Sequence, residues 1–190
     1  MKSIAIFASG NGSNCENIIR YFTYSDIAHV SLVITNNSSA KVIERAERLS
    51  IPVKIVRKTD FSDSNIILSI LRNYNIDYIV LAGFLLFIPE YLVNTYKYKI
   101  INIHPSLLPK YGGKGMYGKH VHEAVKENGE KESGITIHYV SNEYDRGKII
   151  AQYPIAISAN DSVEDIETKI HELEYTFYPK TIENIIKEEA

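Results

Sequence analysis

Five short runs before residue 105 of this chain are largely apolar: Lys2–Ala8, Ala28–Thr35, Val53–Val56, Tyr78–Ala82 and Ile100–His104. A strand with one wet face alternates apolar with polar residues, whereas a strand covered on both faces does not. These runs are therefore read as strands sandwiched between helices. The segments between them carry helical periodicity at Asn14–Phe22, Ala40–Leu49 and Asp63–Tyr74, with a short helix near Pro89–Thr95. In the third helix Ile66, Ile67, Ile70, Leu71 and Tyr74 are assigned to one face. Strand and helix in strict alternation predict an α/β protein with an open, doubly wound, mostly parallel sheet.

The last third breaks the pattern. Gly134–Val140 and Lys148–Ile157 are strand-like and separated by a turn around Asp145-Arg-Gly147, which predicts an antiparallel hairpin on the sheet. Asp161 and Ser162 offer a cap to a closing helix whose apolar face is Val163, Ile166, Ile170, Leu173 and Phe177. Pro179 is expected to kink or interrupt that helix. No repeat or linker divides the chain, so residues 1–190 are taken as one domain, with 1–100 a phosphate- or nucleotide-binding half and 101–190 a catalytic half.

Charge narrows the partners. With 21 Lys+Arg against 23 Asp+Glu the formal net charge is −2, which gives no electrostatic case for nucleic acid or an anionic membrane. No apolar run approaches the ~20 residues of a membrane-spanning helix. The single Cys15 suits a reducing compartment, and a cytoplasmic location follows as the expectation. Cys15 itself reads as a small buried hydrophobe rather than an activated thiol.

Chemistry concentrates at two strand ends. Ser9-Gly-Asn-Gly-Ser-Asn14 joins the first strand to the first helix, and free N–H groups at such a helix start attract a phosphate. It lacks the third glycine of a dinucleotide fingerprint and the lysine of a Walker loop, and an ordinary tight turn would look the same. In Ile100-Ile-Asn-Ile-His-Pro-Ser-Leu-Leu-Pro109, Asn102 and His104 face one way on a strand. An amide donor beside an imidazole, where ligands bind α/β sheets, can stabilise an oxyanion and move a proton. Asp145 is either an Asx-turn former or the carboxylate that orients that imidazole. The glycine-dense segment 110–118 is a flexible connection or a cover for a ligand. His104, His120 and His122 raise the question of zinc, but no nearby carboxylate completes a ligand pattern, and no metal is assigned. His29, His138 and His171 say little individually.

Taken in order, Ser9–Asn14, Ala82-Gly-Phe84, Asn102–Tyr111, His120–Gly129, Gly134–Tyr139, Glu143–Gly147 and Tyr178-Pro179 closely resemble the phosphoribosylglycinamide formyltransferase family. That resemblance implies a Rossmann-like formyltransferase fold. It also implies transfer of the formyl group of 10-formyltetrahydrofolate, a co-substrate, to the glycinamide amine of 5′-phosphoribosylglycinamide in purine biosynthesis, with no metal. By the same resemblance Asn102, His104 and Asp145 are catalytic, with a protonated His104 donating to the oxyanion. Gly12, Ser13, Asn14, Glu174, His171 and Pro105 would bind the ribonucleotide. Leu85, Leu86, Phe87, Ile88, Val140, Ser141, Asn142, Glu143 and Tyr144 would bind the folate. Leu86 stands where many relatives carry an arginine for the glutamate tail, leaving Arg57 or Lys58 to substitute. The partners implied are small molecules, not nucleic acid or membrane, acting on a monomer or homodimer. The alternatives are a deformylase-like hydrolase and a non-catalytic phosphate- or nucleotide-binding module.

Overall fold

The computed structural model describes residues 1–189. Its strands are β1 (Lys2–Phe7), β2 (Ala28–Thr35), β3 (Val53–Ile55), β4 (Tyr78–Leu81), β5 (Ile100–His104), β6 (Glu132–Tyr139) and β7 (Ile149–Ala156). The helices are α1 (Ser13–Phe22), α2 (Val42–Arg48), α3 (Ser64–Asn73), α4 (Glu90–Thr95), α5 (Lys119–Glu127) and α6 (Val163–Glu188). They build one seven-stranded sheet in the order β3-β2-β1-β4-β5-β6-β7. β3 through β5 run parallel, and β6 and β7 are antiparallel to their neighbours. The chain winds outward from β1 to β3, then returns to the other side of β1 as β4. The two neighbours β1 and β4 thus flank a topological switch point, where doubly wound sheets open a crevice.

Alternation along each strand feeds two cores. Ile4, Ile6, Val80, Ile101, Ile135 and Ile137 pack against α1, α5 and α6 through Ile18, Phe22, Val121, Ile166, Ile170 and Tyr178. The intervening residues Ala5, Phe7, Leu32, Ile34, Ile79, Leu81 and Ile100 pack on the other face with Phe61, Ile67, Leu71 and Leu92. Burial on both faces is what the uninterrupted apolar runs demanded for β1, β2, β4 and β5, whereas the edge strand β3 is largely exposed, Ile55 by 54 %. The buried Tyr178 hydroxyl lies 2.8 Å from the Leu81 carbonyl and 3.1 Å from that of Ile101, stitching α6 to β4 and β5 near the end of their ladder. Among the described residues no helix is long and apolar enough to cross a membrane.

Three expectations change. Helix α5 was not anticipated; Val121 and Val125 face the core from it, but the stripe is too short to stand out beside the glycine-rich segment before it. In α3 only Ile67 and Leu71 are buried, while Ile66 is 40 % exposed, because α3 covers the sheet with a narrow stripe. Pro179 does not interrupt α6, which runs on to Glu188. A proline removes the N–H that would bond the carbonyl four residues earlier. Here that carbonyl, on Tyr175, accepts a 2.9 Å hydrogen bond from Nδ2 of Asn17 on α1 instead. The cap of α6 is as expected: Ser162 and Asp165 form a reciprocal capping box.

Candidate active site

A single cavity of about 660 Å³ opens at the carboxyl ends of β1, β4 and β5, within the range of small-molecule sites. One end is the turn between β1 and α1. Gly12 has φ 76°, and a Cβ there would lie 2.5 Å from Val42, so only glycine fits. No side chain caps α1, which leaves the N–H groups of its first turn available to an anion. Ser9 ties this turn to the next wall: its N–H bonds Gly83 O at 3.0 Å and its Oγ accepts the Leu85 N–H at 2.9 Å. Leu85, Leu86, Phe87 and Ile88 form that wall, and Phe87 packs on Tyr144 with ring centroids 4.8 Å apart.

Asn102 and His104 sit on the face of β5 opposite Ile101 and Ile103. In the antiparallel ladder they pair with His138 and Thr136 of β6, which present the same face. Nδ2 of Asn102 lies 3.1 Å from Nε2 of His138, whose Nδ1–H in turn donates to Tyr139 O at 2.9 Å. Burial holds the His138 imidazole below the usual range. As a neutral ring it accepts from Asn102 and fixes which way the carboxamide points.

His104 is 4 % exposed. Its Nε2–H donates to the Tyr111 carbonyl at 2.7 Å, and Nδ1 faces Asp145 Oδ2 at 3.6 Å, beyond hydrogen-bond length. Burial pushes this imidazole down, with Asp145 and the Tyr111 carbonyl pulling the other way. Burial favours the neutral ring, and with Nε2–H committed to the Tyr111 carbonyl, Nδ1 is the nitrogen turned toward Asp145. Asp145 reaches the cluster from the β6–β7 connection at φ 52°, an uncommon conformation for a non-glycine residue. Its Oδ2 accepts the Gly113 N–H at 2.9 Å, and its Oδ1 lies 3.7 Å from His138.

A second polar group sits beyond the β1–α1 turn. Glu174 of α6 is buried, accepts a 2.7 Å bond from Asn14 Nδ2, and is pushed above the usual carboxylate range by that burial. Pro105 and His171 line the same cavity.

Every residue assigned to catalysis, the ribonucleotide or the pterin borders the cavity except Asn142, whose neighbours Ser141 and Glu143 do. In that turn Ser141 Oγ bonds the backbone of Glu143 across it. Arg57 is bound to Asp60 and exposed, and neither it nor Lys58 reaches the cavity. The sequence assigned no ligand role to His138, His122 or Glu167, which contribute to the walls, as does 113–118 of the segment read as a flexible connection or a cover for a ligand. His138 carried a readable signal: Thr136 and His138 repeat the one-face spacing of Asn102 and His104 on the adjacent strand. Cys15 is buried and its thiol is pushed up to about 12 by that burial, as suits a hydrophobe. No described residues form a cluster of three or more potential metal ligands.

An oriented amide, a buried imidazole and a carboxylate meeting at the carboxyl end of a doubly wound sheet are the equipment of an acyl-transfer enzyme. The chain belongs to the formyl transferase family, whose sequence profile matches residues 2–182. It is 39 % identical over 191 residues to a Bacillus subtilis phosphoribosylglycinamide formyltransferase, covering 98 % of this chain and 95 % of that protein. It is 38 % identical to the chloroplastic phosphoribosylglycinamide formyltransferase of Arabidopsis thaliana over 98 % of this chain, spanning 66 % of that relative's length. The crystal structure of the phosphoribosylglycinamide formyltransferase from Anaplasma phagocytophilum superposes with a TM-score of 0.89 at 34 % identity, over 98 % of this chain and 88 % of that one.

Proposed function

We propose that this protein transfers the formyl group of 10-formyltetrahydrofolate to the glycinamide amine of 5′-phosphoribosylglycinamide. The observation that carries the proposal is that Asn102, His104 and Asp145 border the same cavity as the uncapped start of α1. The first-turn N–H groups at Gly12, Ser13 and Asn14 would receive the 5′-phosphate, with His171 beside it, Glu174 at the ribose hydroxyls and Pro105 against the substrate. The apolar wall Leu85–Ile88 and the backbone of Val140–Tyr144 would take the pterin, and a cavity of about 660 Å³ is of the size such a ligand needs. Residues 1–100 would supply the phosphate turn and 101–190 the catalytic groups, with both halves contributing to each substrate's binding.

The folate supplies an activated formyl carbon. As the amine nitrogen bonds to it, the formyl oxygen becomes an oxyanion, and the Asn102 amide donates to that oxygen. The attacking nitrogen loses a proton, which His104 Nδ1 takes, and Asp145 stabilises the imidazolium so formed. The ring then returns the proton to the departing folate nitrogen as its bond to carbon breaks. The balance is one C–N bond made, one broken and one proton relayed.

Incubation with 10-formyltetrahydrofolate, with and without phosphoribosylglycinamide, tests the proposal. Transfer is expected only with the amine present. Formate release in its absence would identify a hydrolase, and no reaction in either mixture would identify a binding module.

A further inference from the structure

The turn that would hold the phosphate is braced from outside the cavity by α2, and by one side chain above all. The Val42 N–H bonds Gly10 O at 3.1 Å, and the Val42 side chain fills the space that a Cβ on Gly12 would need. Between those two points Arg45 donates Nε–H to Asn11 O at 2.8 Å and Nη2–H to Asn11 Oδ1 at 3.1 Å. Its Nη1 bonds Glu16 on the first turn of α1. Glu16 is itself fixed, accepting from Arg20 at 2.8 Å and Arg48 at 3.0 Å, with its side chain 13 % exposed. One planar guanidinium thus ties the residue before the α1 cap to a residue inside the helix. Arg45 does not border the cavity, so any effect on a ligand passes through the turn.

We propose that Arg45 is a positioning residue for the substrate phosphate, holding the Gly10–Asn14 turn in the shape its N–H groups need. The inference rests on the phosphate reading of that turn. Two glycines give the segment wide backbone freedom. Without a tether the substrate would have to order it on binding, at a cost in affinity. The guanidinium supplies three donors in fixed relative directions, which an ammonium cannot reproduce.

Steady-state kinetics with phosphoribosylglycinamide and with its dephosphorylated riboside test this, in the wild-type protein, R45M and R45K. R45M is expected to raise the KM for the phosphorylated amine roughly tenfold or more, as for loss of charge-assisted hydrogen bonds. Its kcat, its folate KM and its KM for the riboside stay near wild type. R45K, with the charge but not the fork, is expected to resemble R45M. Asn11→Ala removes only the Nη2 contact and gives a smaller shift in the same KM, which covers the case of an R45M protein that does not fold. An unchanged KM for the phosphorylated amine in these variants overturns the proposal. So does full recovery in R45K, or a parallel loss of kcat and both KM values with a lowered Tm. A wild-type protein that handles riboside and ribotide alike removes the phosphate reading itself, and this inference with it.

Discussion

His104 has one ring nitrogen committed to the Tyr111 carbonyl and the other facing Asp145 across 3.6 Å. A base in this position works only while Nδ1 is unprotonated, so activity falls as pH drops through the pKa of the ring. Burial is the largest influence and lowers that pKa. The acid limb of kcat/KM is therefore expected below the usual histidine range. Asp145 is the main opposing influence, raising the pKa, so Asp145→Asn should move the limb to still lower pH while reducing kcat. A limb that moved upward in that variant would remove His104 from the base's role. In the proposed mechanism Asn102 serves the oxyanion alone, so Asn102→Ala is expected to lower kcat by ~10²–10³ and leave both KM values near wild type. Near-normal turnover by the folded variant would refute the assignment. At this scale the sequence disclosed which polar residues share a strand face. It could not disclose that His138 orients Asn102, because that contact depends on the register between β5 and β6, which lie about thirty residues apart.

Helix α6 shows what element-level reasoning reads and misses. The Ser162 cap and the apolar positions Ile166 and Ile170 are local signals, and both are realised. Pro179 is a local signal too, yet its consequence is set by a distant partner, the Asn17 amide that takes up the Tyr175 carbonyl. Asn17→Ala should leave that carbonyl without the bond. Because the bond is exposed to water, the cost is expected at the ordinary net value of about 0.5–1.5 kcal/mol, measurable by denaturant unfolding. An unchanged midpoint and slope would show that the carbonyl needs no partner. The missed helix α5 has the same origin: its stripe is short and its core is built largely by other elements. The interior strands β1, β2, β4 and β5, by contrast, were plainly legible, since burial on both faces leaves few polar positions in them.

Across the whole molecule the two halves share one sheet and one helix. β4 pairs directly with β5, and α6 from the second half inserts Ile166, Ile170, Ile182, Ile185 and Ile186 into the core that also buries Ile4 and Ile6 of β1. Burying an isoleucine contributes about 1.5–3 kcal/mol, so these five together rival the ~5–15 kcal/mol net stability of a typical domain. Removing them would strip much of the cover from the core that α1 shares with α6, leaving α1 to shield that face of β1 and β4 alone. A fragment of residues 1–100 is therefore expected to lack a cooperative transition, and the 190-residue chain to unfold in one step. Far-ultraviolet dichroism and tyrosine fluorescence, available because the chain has 14 Tyr and no Trp, should trace coincident curves. Non-coincident curves, or a fragment with protected amides in β1 and β4, would mean that residues 1–100 form an independent unit. In that case substrate bound at Gly12–Asn14 would stabilise only its own half. In the single-unit molecule it shifts the one transition that also reports on Asn102 and His104.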